Sequence, residues 1–291
     1  WDKFLDDSAV THLVVQYAAT AQQACSSHQC ASGFQLLPDA GSIRGSDDAT
    51  CCEPAPWLFL DARSITSSSG SDVSEWKDSS GRSNNFAVAS DCGTPKLGMA
   101  SWNSALPVVR FGISGQTCLK SEVAHSVPTS ATFVGVVSWR GDGGNWEPIA
   151  AVSHDRYWTV RMVYNTRELN MHVRNEQVPR VGVELSKPYV FAARVDGTGK
   201  KSYMWIYDIE EGVWTGKQVY NTEGIPSGGK EVITLARASA KTWEWAQMDM
   251  AIFSMWDKFL DDSAVTHLVV QYAATAQQAC SSHQCASGLQ Q

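Results

Sequence analysis

The chain has 291 residues, 43% of them hydrophobic and 18% charged, enough to bury a core in one or two domains. Its formal net charge of −7 argues against nucleic acid or an anionic membrane as main partner, because both take a basic face. No run of 18 apolar residues is present to span a bilayer, and twelve Trp and eight Tyr against ten Pro lean toward a sheet-rich architecture.

In chain order the first stretch is also the last. Trp1 to Gly33 reads WDKFLDDSAVTHLVVQYAATAQQACSSHQCASG, and Trp256 to Gly288 repeats it residue for residue at an offset of 255. Self-similarity at a fixed offset marks a tandem array. The expectation is one repeat preceded by the tail of another, so residues 1–24 are read as the closing strand and helix of a preceding repeat. The competing reading is an excerpt or an engineered join, and a first residue that is Trp rather than Met fits a processed or excerpted piece. Asp2 to Leu5 reads as a strand end, and Asp6, Asp7 and Ser8 offer helix N-caps. Leu13, Val14, Tyr17, Ala18 and Ala21 then form one helical stripe to about Ala24. A helix of roughly 16 residues is marginal alone and needs a surface to dock on. Trp1, Phe4, Leu5, Leu13, Val14 and Tyr17 are therefore the side chains expected to meet another unit's sheet.

Residues 25–56 read as a linker, poor in periodicity and rich in Ser, Gly, Ala, Asp and Pro. Its cysteines Cys25, Cys30, Cys51 and Cys52 must hold it, since it has little to bury. Cys25, His28, Cys30 and the Cys51–Cys52 pair also admit a zinc reading, but the spacing and the vicinal pair match no usual zinc ribbon. Eight Cys, of which Cys280 and Cys285 copy Cys25 and Cys30, fit an oxidising, extracellular setting. Cys92 and Cys118 flank the strand at Val108 and are expected to pair, closing a loop worth roughly 3 kcal/mol.

From Trp57 the chain becomes globular, to about residue 279, with residues 280–291 starting the next linker. Thr132 to Val137 is a β-branched run fit for a strand buried on both sides. Strand-length segments follow at Tyr157–Val163, Leu169–Val173, Tyr189–Val195, Tyr203–Tyr207 and Val232–Ala236, parted by Gly/Asn/Asp turns. Many short strands with one helix near the end predict an all-β sandwich.

An ordered set of motifs sharpens this. Leu60-Asp61-Ala62 is followed by Trp76-x-Asp78-x-Ser80-Gly81-x-x-Asn84, then Pro107-x-Val109-Arg110-Phe111, then the long apolar strand Ala131–Trp139. Near the end, Met248 to Met255 reads as a final strand, and Asp262-Ser263-Ala264 opens a helix leading to Gln271-Tyr272. From Trp57 to about Ala276 this order resembles the LamG-like jelly roll of the concanavalin A-like lectin/glucanase superfamily. The resemblance implies a jelly-roll sandwich with a helix after the last strand.

No catalytic constellation is visible. The superfamily's glucanases carry E-x-D-x-x-E, whose even first spacing puts two carboxylates on one strand face, whereas here Glu244 and Asp249 are five apart and would point to opposite faces of a strand. The motifs G-x-S-x-G and H-E-x-x-H, the P-loop and the dinucleotide fingerprint are missing. Trp139, Trp146, Trp158, Trp205, Trp214 and Trp243 are candidates for an aromatic glycan platform, with core packing as the plainer alternative. Asp142, Asn145 and Asp155 are weak candidates for a rim Ca²⁺ site of the kind the family sometimes has; otherwise no metal or cofactor is implied. No N-x-[ST] acceptor occurs, so any attached glycan is expected to be O-linked. Two functions remain: a repeat unit of an extracellular fibre, partnered head to tail by copies of itself, or a carbohydrate-binding lectin-like module.

Overall fold

The computed structural model describes residues 25–30, 34–36, 51–113, 115–141, 146–152, 158–163, 166–173, 176–222, 229–238 and 244–277. The chain divides into two compact units, Trp1–Ala55 and Pro56–Gln291.

In the first unit, a 3-10 turn at Cys25–Ser27 accompanies an antiparallel ribbon of β1 (Phe34–Leu36) and β2 (Cys52–Pro54). Disulfides Cys25–Cys51 and Cys30–Cys52 tie the segment together, with Cys25 and Cys51 fully buried. A cysteine binds zinc only as a free thiolate. All four thiols are consumed, so the zinc reading of this cluster is overturned.

The strands of the second unit are β3 (Leu58–Asp61), β4 (Glu75–Trp76), β5 (Phe86–Val88), β6 (Lys96–Met99), β7 (Pro107–Arg110), β8 (Leu119–Ser121) and β9 (His125–Ser126). They continue with β10 (Ala131–Trp139), β11 (Trp146–Val152), β12 (Trp158–Val163), β13 (Glu168–Val173), β14 (Glu176–Gly182) and β15 (Pro188–Asp196). Last come β16 (Lys201–Asp208), β17 (Val213–Asn221), β18 (Lys230–Glu231), β19 (Ile233–Leu235), β20 (Met248–Trp256) and the helix α1 (Asp262–Gln277). The fold is an all-β antiparallel jelly-roll sandwich. One sheet runs β17-β16-β15-β10-β20-β7-β6 with β3 also on β20; the other runs β14-β13-β12-β11-β19-β8-β5-β4. Cys92–Cys118 is bridged within this unit.

The central strand β10 is buried at every position, and its alternation explains how. Phe133, Val137 and Trp139 enter the core between the sheets, while Val134 and Val136 face the opposite side. Gly135 leaves room for the Phe191 ring, which a Cβ there would strike at 2.6 Å. The neighbouring β20 shifts register against β10 between Val136 and Val137. That bulge lets Met250 and Phe253 both reach the inter-sheet core while Ala251 and Ile252 face outward.

The outward side of the first sheet is covered by α1. The Asp261 carboxylate accepts from the Ala264 amide and caps the helix. Its stripe of Val265, Leu268, Val269, Tyr272, Ala273 and Ala276 then buries against β10, β15 and β20.

Arg110 of the Pro107–Phe111 motif meets Asp249 at 3.5 Å, and Arg140 meets the same carboxylate at 2.7 Å. Burial pushes the Asp249 carboxyl above its ordinary range, and the two guanidiniums oppose that shift.

Candidate functional site

The aromatic residues singled out from the sequence do not form one platform. Trp139 and Trp158 are fully buried between the sheets, where Trp158 packs on Phe133 at 4.1 Å, so neither can stack on a sugar. Trp146, half-buried at the start of β11, carries the Arg161 guanidinium 3.9 Å over its ring. Trp205 and Trp214 do meet, edge to face at 5.6 Å, on the helix side of the first sheet. There Lys217 Nζ sits 4.1 and 4.3 Å over the two rings, and Trp205 is only 4% exposed. The strand period divides the set among different faces, which a residue count cannot show.

Trp243, Asp142, Asn145, Asp155, Cys280 and Cys285 lie outside the described residues, as do Trp1, Phe4, Leu5, Leu13, Val14 and Tyr17. Among the described residues no group of three His, Cys, Asp or Glu side chains could hold a metal ion.

The open groove of the sandwich is organised by Trp57, which the sequence marks only as the start of the globular part. Trp57 donates its amide to the Met255 carbonyl at 2.7 Å, beside the edge where β3 pairs with β20. Its own carbonyl accepts from Asn84 Nδ2 at 2.8 Å and from Ser80 Oγ at 3.3 Å. Both donors belong to the loop after β4, and Asp78 gathers that loop. Its carboxylate accepts from the amides of Phe59 (3.0 Å), Ser80 (2.9 Å) and Asn84 (2.9 Å), and from Ser80 Oγ (2.7 Å). Gly81, at φ +81°, and Ser83, at φ 58°, give the loop its left-handed turns. Thus the Trp76–Asn84 motif is a clamp: Asp78, Ser80 and Asn84 fix Trp57 and present Arg82.

The opposite wall comes from the ribbon of β9 and β18, where Lys230 pairs with Ser126 and Glu231 with His125. The His125 ring meets Trp57 edge-on, centroids 4.6 Å apart. Its Nε2 is buried without a hydrogen-bond partner, and burial pushes the imidazole below its ordinary value against the pull of the Asp78 carboxylate. Between the walls lies a groove of about 700 Å³, lined by Trp57, Arg82, Asn84, His125, Val127, Pro128, Lys230 and Asp257. A small adjoining recess that shares Trp57, His125, Val127 and Pro128 with it is lined by Val152, Trp158, Ile233 and Met255 of the core. One aromatic wall, two exposed cations, an imidazole, an amide and one carboxylate converge in the groove, in a volume typical of small-ligand sites.

A second recess, of about 440 Å³, lies by Lys187 and Asp208. Lys187 Nζ is already 2.8 Å from the Asp208 carboxylate, so the recess offers no unspent charge of that pair.

No family model matches the chain, and no curated protein matches it. Solved structures do. The binding domain of botulinum neurotoxin DC, in complex with SialylT, superposes with a TM-score of 0.50 at 12% identity, over 75% of this chain and 51% of that one. The same binding domain in complex with rat synaptotagmin II gives 0.50 at 14% identity, over 75% and 51%. A Trypanosoma rangeli sialidase reaches 0.45 at 14% identity over 90% and 39%, which is too slight to carry an argument. The chain spans about half the length of the neurotoxin binding domains it matches. At such identity the likeness is one of fold alone, a β-sandwich.

Proposed function

We propose that the chain is a secreted carbohydrate-binding module of LamG-like, lectin-like type, which binds glycan in the Trp57 groove without catalysing a reaction. The observation that carries this reading is the groove itself. A half-exposed Trp is clamped from behind by the Asp78 loop and faced by polar and cationic groups, a combination that suits a sugar's apolar ring face and hydroxyl rim. The binding domain solved with SialylT, built on a like sandwich, supports it. Glycoside hydrolysis typically takes two carboxyl groups across one bond, and the groove lining carries one, Asp257. Three disulfides support an oxidising, extracellular location. No described helix is long and apolar enough to cross a membrane.

The test is a glycan array probed with the full chain and with Trp57→Ala, thermal melts serving as the folding control. A lost aromatic anchor should weaken binding by at least about tenfold. No binding by the parent chain, or equal binding by a folded Trp57→Ala variant, rejects the reading.

A second reading, a LamG-like repeat strung head to tail in an extracellular fibre, is favoured by one observation: the 33-residue identity between Trp1–Gly33 and Trp256–Gly288. Regular filaments in electron micrographs, with a spacing of one unit, would support it, and monodisperse particles would not.

A further inference from the structure

The small recess beside the Trp57 groove has walls fixed by strand pairing. Val152 of β11 and Ile233 of β19 stand opposite each other in register, and Met255 comes from β20 of the other sheet. Val127, just after β9, completes the apolar lining, and all four side chains are buried. The recess has room of about 10 Å³ for the centre of a water-sized group, which is the space of one small substituent. Apolar walls of that size suit a methyl group.

Two polar atoms belong to the same lining and are buried without a hydrogen-bond partner among the described residues: Nε2 of His125 and Nε1 of Trp158. The indole nitrogen only donates, whereas the imidazole nitrogen donates in one tautomer and accepts in the other. Buried polar groups are nearly always paired, and these two stand on a recess that adjoins the groove, where a ligand can supply what they lack.

The ligand group called for therefore combines a methyl, an acceptor for Trp158 and a partner of either kind for His125. An acetamido substituent carries all three, since its carbonyl accepts and its N–H donates. A hydroxyl lacks the methyl, and the methyl of a 6-deoxy sugar lacks the acceptor and the donor. We propose that the Trp57 groove selects N-acetylated sugars, the acetyl methyl entering this recess and the amide bonding to His125 and Trp158. The inference rests on the reading of the groove as a glycan site and deepens it by naming the substituent that is read. Trp57 holds a pyranose by its ring face whatever its substituents; the recess adds discrimination, because a site that pairs a polar group rejects the analogue lacking it.

The first experiment needs no variant. An array carries matched pairs: N-acetylglucosamine against glucose, N-acetylgalactosamine against galactose, N-acetyl- against N-glycolylneuraminic acid, and fucosylated glycans beside them. It is probed with the full chain and shows whether hexosamines or sialylated glycans supply the acetamido group. Calorimetric titration follows with N-formyl, N-acetyl and N-propionyl forms of glucosamine, galactosamine and neuraminic acid. The N-acetyl form should bind at least about tenfold tighter than the matching hydroxyl sugar. Loss of the methyl in the N-formyl form should cost about fourfold in affinity, and the N-propionyl form, too long for the recess, should also bind less tightly than N-acetyl. Val127→Leu and Val152→Ile each add one carbon to the recess wall, with thermal melts as the folding control. A folded variant of either kind should lose the preference and bind the hydroxyl sugar as the parent does. Trp57-dependent binding without an N-acetyl preference, equal binding of N-formyl and N-acetyl forms, a preference for 6-deoxy sugars, or a preference that survives in a folded variant overturns the proposal and leaves the glycan reading standing. If the parent binds no glycan, both fail. If neither variant folds, the N-acyl series on the parent chain decides.

Discussion

The carbonyl of Trp57 takes two hydrogen bonds from the loop after β4, and that loop in turn hangs on one carboxylate, Asp78. Asp78→Ala removes four acceptor contacts made by an ionised group, and hydrogen bonds to charged groups contribute about 1.5–3 kcal/mol each when intact. Water recovers part of that at this partly buried site, so a loss of about 2–4 kcal/mol in denaturant melts is expected, together with weaker binding at Trp57. His125 predicts a pH dependence. Its folded-state pKa lies below the unfolded value of about 6.5, so the folded protein binds the proton less well than the unfolded chain. The stability it contributes is present above pH of about 6.5 and is lost as pH falls below that through the folded pKa. Melts of His125→Gln against the parent should converge or cross on acidification through this window. A gap independent of pH would contradict the assignment. Asp78, Arg82, Lys230, Glu231 and Asp257 stand around the groove and its ribbon and set the size of the effect. On the opposite flank of the core, Asp249→Ala strands two guanidiniums. Removing one partner of a buried pair costs about 3–5 kcal/mol, and the partial exposure of Arg110 and Arg140 places the expected loss near the lower end.

Among the elements, α1 and β10 depend on each other. β10 presents Val134 and Val136 outward, and α1 covers them with its i, i+3, i+4, i+7 stripe. Leu268→Ala should therefore cost about 2–4 kcal/mol by thermal or chemical melt, the range for a buried Leu whose cavity cannot fully collapse. Both elements were legible from periodicity, as were β12, β13, β15, β16 and β20 within a residue or two. Three long strands were not. β11 contains Pro148, which demotes a run to a non-strand on sequence grounds, yet it sits at a register shift against β12 where the missing amide is tolerated. β14 and β17 end their sheets; β17 is exposed along most of its length, so no alternation of apolar and polar residues betrays it.

At the scale of the whole molecule, the two units differ in what holds them. The first has a buried cluster made of Cys25, Cys51 and Cys52, and its bridges close separations of 26 and 22 residues, worth about 3 kcal/mol apiece in chain entropy. The sandwich has a wide apolar core and, among its described residues, a single bridge. Full reduction should therefore expose residues 25–55 to protease first, while the sandwich keeps a cooperative melt at lower temperature; simultaneous loss of both would contradict this. The β-branched run of β10, the stripe of α1, the cysteine spacing and the order of the motifs are local patterns, and a chain's periodicity follows directly from the geometry of helix and strand. They were enough to define an all-β sandwich with a closing helix. The site was another matter. Six tryptophans looked alike in sequence, and only the pairing of strands decided that Trp139 and Trp158 face the core, while Trp146 and the Trp205–Trp214 pair lie apart on different faces. Trp57 became the groove's wall because Asn84, His125 and Met255, distant along the chain, converge on it. Side-chain direction along one strand is set by local geometry, but which surfaces meet is set by long-range packing, and no local pattern carries that information.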